Sequence, residues 1–314
     1  MFLNLLFQDY PIGVYCIMAH LQAAMEYLMT YGWAILVIAV VLAVLFSLGV
    51  TNPLFFSPKA PPGSCQVVRP NGPGTTSSIS LEGGQTCQQI PEYVASLNGK
   101  TNQYVSLGNN PAFSSEAGSA GALTFCMWYY LNTIVNYQGV MIKGQYYPSY
   151  GNNWEYTFDQ YGIQGFTVWT PGGSNIAFYS TGKYPPTNTW IFACLTFDQK
   201  TRSAYYYFDG NQSVNTGIYG TAATSTGSLI VGYGEHGPFS GKIANIQIYN
   251  AALSPSEIRS LYLEGIQGAP LNLQSLVGWW PLDGNTNDYS GNNNDGIASN
   301  IIWSGNWWQS YSAP

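Results

Sequence analysis

The most constraining feature of this sequence is an uncharged apolar segment of 23 residues, positions 28–50. A helix rises 1.5 Å per residue, so this segment would be roughly 34 Å long and would cross a bilayer core of about 30 Å. Pro53 would end the helix, because proline disfavours helical backbone at the residue before it. The segment therefore predicts a membrane-spanning helix, either as an anchor or as an uncleaved signal sequence.

The low content of charged residues limits the classes of partner. Asp, Glu, Lys and Arg make up only 8% of the chain, and the formal net charge is −6. This balance argues against binding to nucleic acid, which needs clustered basic residues. Hydrophobic residues make up 46% and aromatic residues 16%, which suffices for a folded core and indicates a neutral, aromatic-rich surface. Two His in the whole chain disfavour a histidine-dependent active site.

The start of the apolar segment belongs to a longer motif. Residues 22–38 read QAAMEYLMTYGWAILVI, which resembles the class III signal peptide of archaeal type IV pilin-like proteins. The resemblance implies that a prepilin peptidase cuts between Leu21 and Gln22. Helices 22–50 would then leave the membrane and bundle into the core of a filament. The motif residues expected to act in assembly are Gln22, Glu26, Tyr27 and Trp33.

Glu26 has a physical role in such a bundle. A carboxylate among apolar helices is costly unless it is paired, and the freed ammonium of Gln22 in a neighbouring subunit would pair with it and set the register. The leader or signal segment, residues 1–21, departs from the family pattern, because His20 and Leu21 stand where a basic residue and Gly are expected. Two alternatives are that the leader is unusual or that translation starts at Met18.

The amino-acid composition changes after the apolar segment. Residues 51–91 are rich in Pro, Gly and Ser, which predicts a stiff, extended stalk or an irregular wrap. From residue 92 onward, short aromatic and β-branched runs alternate with turn residues about every ten positions, which is typical of antiparallel sheets. The predicted strands are 103–107, 123–131, 140–143, 154–159, 165–169, 176–180, 190–197, 204–208, 228–232 and 242–249.

Local signals mark a hairpin and one helix within this β-rich region. Asp209-Gly210 is a hairpin turn sequence. Ser254 as N-cap, Pro255 at the first helical position and Glu257 as the second half of a capping box begin a short helix. Gly265 would end it.

The order of these runs resembles the laminin-G-like, concanavalin-A-like jelly-roll family, most specifically in IQIYNAALSPSEI at 246–258. The expected fold is mainly β, with a long hydrophobic N-terminal helix followed by an antiparallel β-sandwich over residues 92–265. Residues 266–314 contain LVGWWPLDG, which is similar to the opening strand of such a domain. This segment would complete its own sandwich, add a strand to a neighbouring subunit, or form a separate cap.

The cysteines favour an extracellular compartment. Cys16 lies in the leader, and the remaining four form an even set without zinc-ligand spacing. Cys65 and Cys87 would bridge within the stalk. Cys126 and Cys194 lie in two runs that the resembled family pairs within one sheet, so they would form a second bridge or remain as buried thiols.

Candidate ligand sites are few. Calcium prefers hard oxygen ligands, and one turn region supplies Asp283, Asn285, Asp288 and Asp295; the alternative is that they only shape the turn. Asn211 begins the single N-glycosylation sequon of the chain. Aromatic side chains that would stack on sugar rings, or else pack in the core or against other subunits, are Tyr146, Tyr147, Tyr150, Trp154 and Tyr161.

These observations predict a binding protein, not an enzyme. The sequence has no GxSxG, HExxH or phosphate-loop motif, and the nearest acidic strand offers only Glu155 and Asp159. We expect a structural subunit of an extracellular pilus-like filament with a lectin-like head for adhesion, reaching the cell surface through a membrane-inserted precursor. Its partners would be copies of itself, the membrane before assembly, and carbohydrate or a cell-surface ligand. The alternatives are a membrane-anchored surface lectin that does not polymerise and a sandwich glycoside hydrolase.

Overall fold

The structure is a computed structural model. It describes residues 25–26, 29, 31–43, 65–68, 78–81, 91–114, 121–144, 154–159, 161–169, 175–180, 184–217, 222–223, 225–235 and 237–314. The chain divides into two compact units, residues 1–58 and 59–314. In the first unit the described residues, 25–26, 29 and 31–43, are helical. Among the residues described, no helix combines the length and apolar character needed to span a membrane.

The second unit is built from antiparallel strands. Their bounds are β1 Cys65–Val68, β2 Ser78–Leu81, β3 Val94–Asn98, β4 Tyr104–Ser106, β5 Ala122–Leu131, β6 Gly139–Lys143, β7 Trp154–Phe158, β8 Gln164–Trp169, β9 Asn175–Ser180, β10 Trp190–Asp198, β11 Ser203–Phe208, β12 Asn211–Gly217, β13 Leu229–Val231, β14 Ser240–Tyr249, β15 Leu276–Trp280, β16 Ile297–Ser299 and β17 Ile302–Ser304. One α-helix, Pro255–Leu263, and short 3-10 turns at Pro111–Phe113 and Trp307–Ser310 complete the described part of this unit.

Two large sheets form the sandwich. In the described residues, one sheet has eight strands, in the order β12-β11-β10-β5-β14-β3-β17 with β15 also paired to β14. The other has seven, in the order β16-β4-β13-β6-β7-β8-β9. The predicted antiparallel sandwich is therefore confirmed. Within the predicted stalk, β1 and β2 pair as a separate two-stranded ribbon.

Side chains alternate between the two faces of each strand, and those that face inward form the core between the two sheets. On β7, Trp154, Tyr156 and Phe158 face inward, because successive side chains of a strand point to opposite faces. Phe125 on β5 faces them from the other sheet and stacks on Trp154 with 4.9 Å between ring centroids. Aromatic side chains therefore make up much of the layer that holds the two sheets together.

A second apolar cluster covers the outer face of the eight-stranded sheet. Trp128 on β5 and Phe192 on β10 lie under the helix Pro255–Leu263, where both contact Tyr262. The helix starts with the predicted capping box: the Ser254 hydroxyl accepts the N–H of Glu257, and the Glu257 carboxylate accepts the N–H of Ser254. The local sequence signals thus fix where the helix begins, and its buried Ile258 and Leu261 pack it against this face.

The C-terminal residues supply strands to both sheets of their own chain. β15 pairs with the second half of β14, at Ile246–Tyr249, whereas β3 pairs with its first half, at Ser240–Ile243. β16 pairs with β4 and β17 with β3. β16 is therefore an edge strand of the seven-stranded sheet, and β17 is an edge strand of the eight-stranded sheet.

Candidate functional site

The predicted assembly residues fall only partly in the described chain. Glu26 and Trp33 lie in the helical residues of the first unit and are exposed. Leu21, Gln22 and Tyr27 lie outside the described residues. Trp33 belongs to the stretch 31–43, in which every residue is exposed and none is charged. An apolar helix surface of this kind needs a covering partner on all sides.

A disulfide joins the two central strands of the eight-stranded sheet. Cys126 on β5 and Cys194 on β10 are directly opposite in the register, and their sulfur atoms are bonded. Both residues are buried in the outer cluster. This is the bridge that the family resemblance implies. For the other expected bridge, Cys65 begins β1, and Cys87 lies outside the described residues.

In the turn after β15, the side-chain oxygens accept hydrogen bonds from groups of the same chain. Asp288 accepts four of them, from the backbone N–H groups of Trp279, Ser290 and Asn294 and from the Ser290 hydroxyl. Burial raises the pKa of Asp288 above its ordinary value, although these four bonds act in the opposite direction. The arrangement is that of a carboxylate that organises a turn.

The other three calcium candidates have similar roles. Asp283 accepts the N–H of Tyr93 at 2.7 Å, and Asp295 accepts the N–H of Asp288 at 2.8 Å. Asn285 accepts the N–H of Asn287. In the part of the chain that the structure describes, no group of three or more His, Cys, Asp or Glu side chains is arranged to hold a metal ion. Calcium binding stays a prediction.

The acidic strand β7 does not present a pair of exposed carboxylates. Glu155 points away from the core but is buried, and burial raises its pKa to about 8. Asp159 follows the strand and accepts the N–H groups of Tyr161 and Ile163. A retaining or inverting glycosidase needs two carboxyl groups that flank a substrate bond, and these two are committed to the protein's own backbone.

The aromatic candidates differ in their surroundings. Trp154 is wholly buried, and its indole N–H donates to the carbonyl of Phe113 at 2.8 Å; it is a core residue, which is the alternative to sugar stacking. Tyr161 is 61% exposed. Tyr146, Tyr147 and Tyr150 lie outside the described residues. The sequence pattern did not single out Tyr137, which is also exposed and follows Asn136 in a turn.

The sequon residue Asn211 is exposed and begins β12. Asp209 and Gly210 precede it with φ angles of 48° and 71°, which are the left-handed values that a two-residue hairpin turn requires. The predicted hairpin is confirmed. The sequon follows this turn, at a position open to solvent.

Several solved structures are similar to this chain. A native heptameric SAP-like pentraxin from Limulus polyphemus shares 14% identity, over 69% of this chain and 96% of its own, with a TM-score of 0.48. A Bacteroides ovatus protein assigned to carbohydrate binding shares 16%, over 73% of this chain and 66% of its own, with a TM-score of 0.46. The CBM40 of a Ruminococcus gnavus sialidase, bound to α2,3 sialyllactose, shares 13% identity over 55% of this chain and 98% of its own, with a TM-score of 0.42.

Sequence comparison defines the family more directly. No curated protein matches the chain. Residues 98–259 match the family described as the concanavalin A-like lectin/glucanases superfamily, in its Laminin_G_3 branch. The match covers just over half of the 314 residues and runs from the end of β3 into the helix Pro255–Leu263. The strand order, the core and this match agree with the resemblance seen in the sequence: the chain belongs to the concanavalin A-like lectin/glucanases superfamily.

Proposed function

We propose that this protein is a subunit of an extracellular type IV pilus-like filament, and that its sandwich is an adhesive, lectin-like head. The observation that carries the proposal is the helical stretch 31–43, which is apolar on every face and exposed. A helix of that kind is stable only where apolar surroundings cover it fully. A bilayer would cover it in the precursor, and the helices of other copies would cover it in a filament.

The acidic residue before this stretch favours other copies over a permanent bilayer position. Glu26 is the single charged residue between position 22 and position 50. In an apolar environment a carboxylate demands a cationic partner, and the ammonium that cleavage before Gln22 would create is such a partner. The motif in which Glu26 stands is the one that resembles pilin signal peptides.

Features of the second unit support its display outside the cell. The buried bridge between Cys126 and Cys194 suits an oxidising compartment. The chain has few charged residues and an exposed sequon at Asn211. Binding rather than turnover is the role that we assign to the sandwich, because Glu155 is buried and Asp159 holds a turn.

The unusual leader favours one second candidate. His20 and Leu21 replace the residues that a prepilin peptidase would be expected to read, and an uncleaved helix would leave the protein as a membrane-anchored surface lectin. The two candidates predict different mature N termini and different assemblies.

The test is the N-terminal sequence of the protein recovered from native cell surfaces, combined with electron microscopy of the same material. A start at Gln22 in filaments is the expected result. A start at Met1 or Met18 in membranes would overturn the filament proposal and favour the anchored lectin. Glu26→Gln should abolish filaments while leaving membrane insertion intact. Glu264→Gln, which changes an exposed carboxylate in the second unit, is the matched control and should assemble normally.

A further inference from the structure

Two neighbouring loops of the sandwich expose a small apolar and aromatic surface. The loop between β5 and β6 contributes Ile134, Val135 and Tyr137, which are 39%, 49% and 41% exposed, and the turn between β7 and β8 contributes Tyr161, which is 61% exposed. We call these four side chains the two-loop patch. Large exposed apolar side chains in one place mark interaction sites more often than scattered ones do.

The loops that carry the patch contact each other directly. The backbone N–H of Tyr137 donates to the carbonyl of Asp159 at 3.1 Å. Gly162 approaches Ile134 so closely that a Cβ atom at Gly162 would lie 2.3 Å from the Ile134 Cγ2 atom. The two loops therefore form one continuous surface.

Hydrogen bonds brace both loops. The Gln138 side chain donates to the carbonyls of Thr133 and Val135 and accepts the N–H of Ser240 at 2.9 Å. In the other loop, Asp159 accepts the N–H of Tyr161 at 2.8 Å. A surface that is already rigid loses little conformational freedom when a ligand binds.

Tyr137 is held in a conformation that bulky residues rarely adopt. Its φ angle is 62°, in the left-handed region. Backbone conformations of this kind persist only where the surroundings enforce them, and they concentrate at functional positions. A Gly or Asn at this position would keep the turn without strain, so the turn alone does not explain a tyrosine here.

The size and charge of the patch indicate the class of ligand. Four partly exposed side chains offer on the order of a few hundred Å², well below the roughly 800 Å² that each partner buries in a stable protein interface. The described residues 132–138, 159, 161–163, 233–235 and 237–238, which meet at Tyr137, contain two carboxylates and neither Lys nor Arg. In a chain of net charge −6, this surface suits a small neutral ligand with an apolar face and disfavours an anionic one.

We propose that the two-loop patch is a stacking site for neutral pyranose rings with an unbroken apolar face, such as β-linked glucose or N-acetylglucosamine. Tyr137 and Tyr161 would supply the aromatic faces, and Ile134 and Val135 would extend the apolar contact. The inference rests on the lectin-like role proposed for the sandwich and is independent of filament assembly.

The experiment measures binding of cellohexaose and N-acetylchitohexaose to the full-length protein by titration calorimetry, with sialyllactose as an anionic comparison. Tyr161→Ala and Tyr137→Gly should each weaken binding at least about tenfold. Tyr137→Gly removes the ring and also relieves the positive φ angle, so it should fold at least as stably as the native chain. Tyr184→Ala is the matched control, because Tyr184 is 62% exposed and lies outside both loops; it should bind within about twofold of the native affinity.

Each other outcome overturns the stacking site. Undiminished binding by both Tyr137→Gly and Tyr161→Ala would leave the head a lectin whose site lies elsewhere. Failure of the native protein to bind either neutral hexasaccharide, or binding of sialyllactose alone, would refute the proposed ligand class. The filament proposal depends on the mature N terminus and on assembly, so it stands or falls separately.

Discussion

The Glu155 carboxylate on β7 accepts the backbone N–H of Glu235 at 2.8 Å, across 80 positions of sequence. Glu155 is 1% exposed and lies on the face of its sheet that is turned away from the core. A Cβ atom on Gly234 would come within 2.1 Å of a Glu155 carboxylate oxygen. The turn at 233–235 therefore lies directly over a carboxyl group whose pKa burial raises to about 8.

The stability of the sandwich should decrease as the pH rises. The folded state holds the proton of Glu155 up to about pH 8, whereas the unfolded chain releases it near its ordinary pKa of 4.5. The folded state thus binds more protons between these values, and the free energy of unfolding should fall through that interval by up to about 5 kcal/mol. Urea unfolding of the native chain and of Glu155→Gln at several pH values measures this slope. Glu264→Gln should keep the native slope, and a Glu155→Gln protein that also kept it would contradict the assignment.

Removal of the bridge between Cys126 and Cys194 should destabilise the sandwich without changing its fold. The bridge spans 68 positions, and a cross-link over a loop of that length restricts the unfolded chain by about 4 kcal/mol in the chain-entropy description. The double variant Cys126→Ala/Cys194→Ala should show that loss in thermal unfolding. Under reducing conditions the native protein and the double variant should have nearly the same Tm, because any bridge between Cys65 and Cys87 would be broken in both. A double variant as stable as the native protein would show that the bridge contributes nothing.

Loss of the helix cap at Ser254 should have a smaller effect. Ser254→Ala leaves the N–H of Glu257 without its side-chain acceptor at the start of the helix, which should cost about 1 kcal/mol. Ser260→Ala, at an exposed position of the same helix, is the control and should be neutral or slightly stabilising because Ala is the better helix former. Equal effects of the two substitutions in chemical denaturation would argue against the capping box.

Experiments on the turn after β15 distinguish internal hydrogen bonding from calcium binding. Asp288→Asn places an amide group opposite donors that now meet carboxylate oxygens, so we expect a loss of about 3 kcal/mol or more. EDTA and millimolar calcium should not move the Tm of the native chain if these oxygens serve only the backbone. A rise in Tm with calcium that is absent from Asp288→Asn would instead establish a calcium site.

The parts of the fold that sequence predicts are those set by local chemistry. Ser254, Pro255 and Glu257 fix the start of the helix, and Asp209-Gly210 supplies the positive φ angles of its hairpin. In contrast, β12 reads NQSVNTG and is rich in residues that strands usually avoid. Its pairing with β11 determines its conformation, as pairing with β3 determines that of the three-residue strand β17.

The candidate site was predictable only to the level of residue type. An aromatic-rich composition indicates that some rings are exposed, but it does not tell Trp154 from Tyr161. The inward face of β7 decides that Trp154 is core, and the turn at Asp159 decides that Tyr161 is exposed. Burial raises the pKa of Glu155, and the segment 233–235 that covers this carboxyl group lies about 80 positions away in the sequence, so no local pattern reveals it.

β3 and β15 lie end to end along one side of β14, and β15, β16 and β17 follow all of their pairing partners in the chain. In a chain that is synthesised from its N terminus, both sheets would have an incomplete edge until residues 276–304 had been added. The sequence order of the strands thus makes β15, β16 and β17 the last elements that could complete the two sheets, and a chain without them would expose unpaired strand edges.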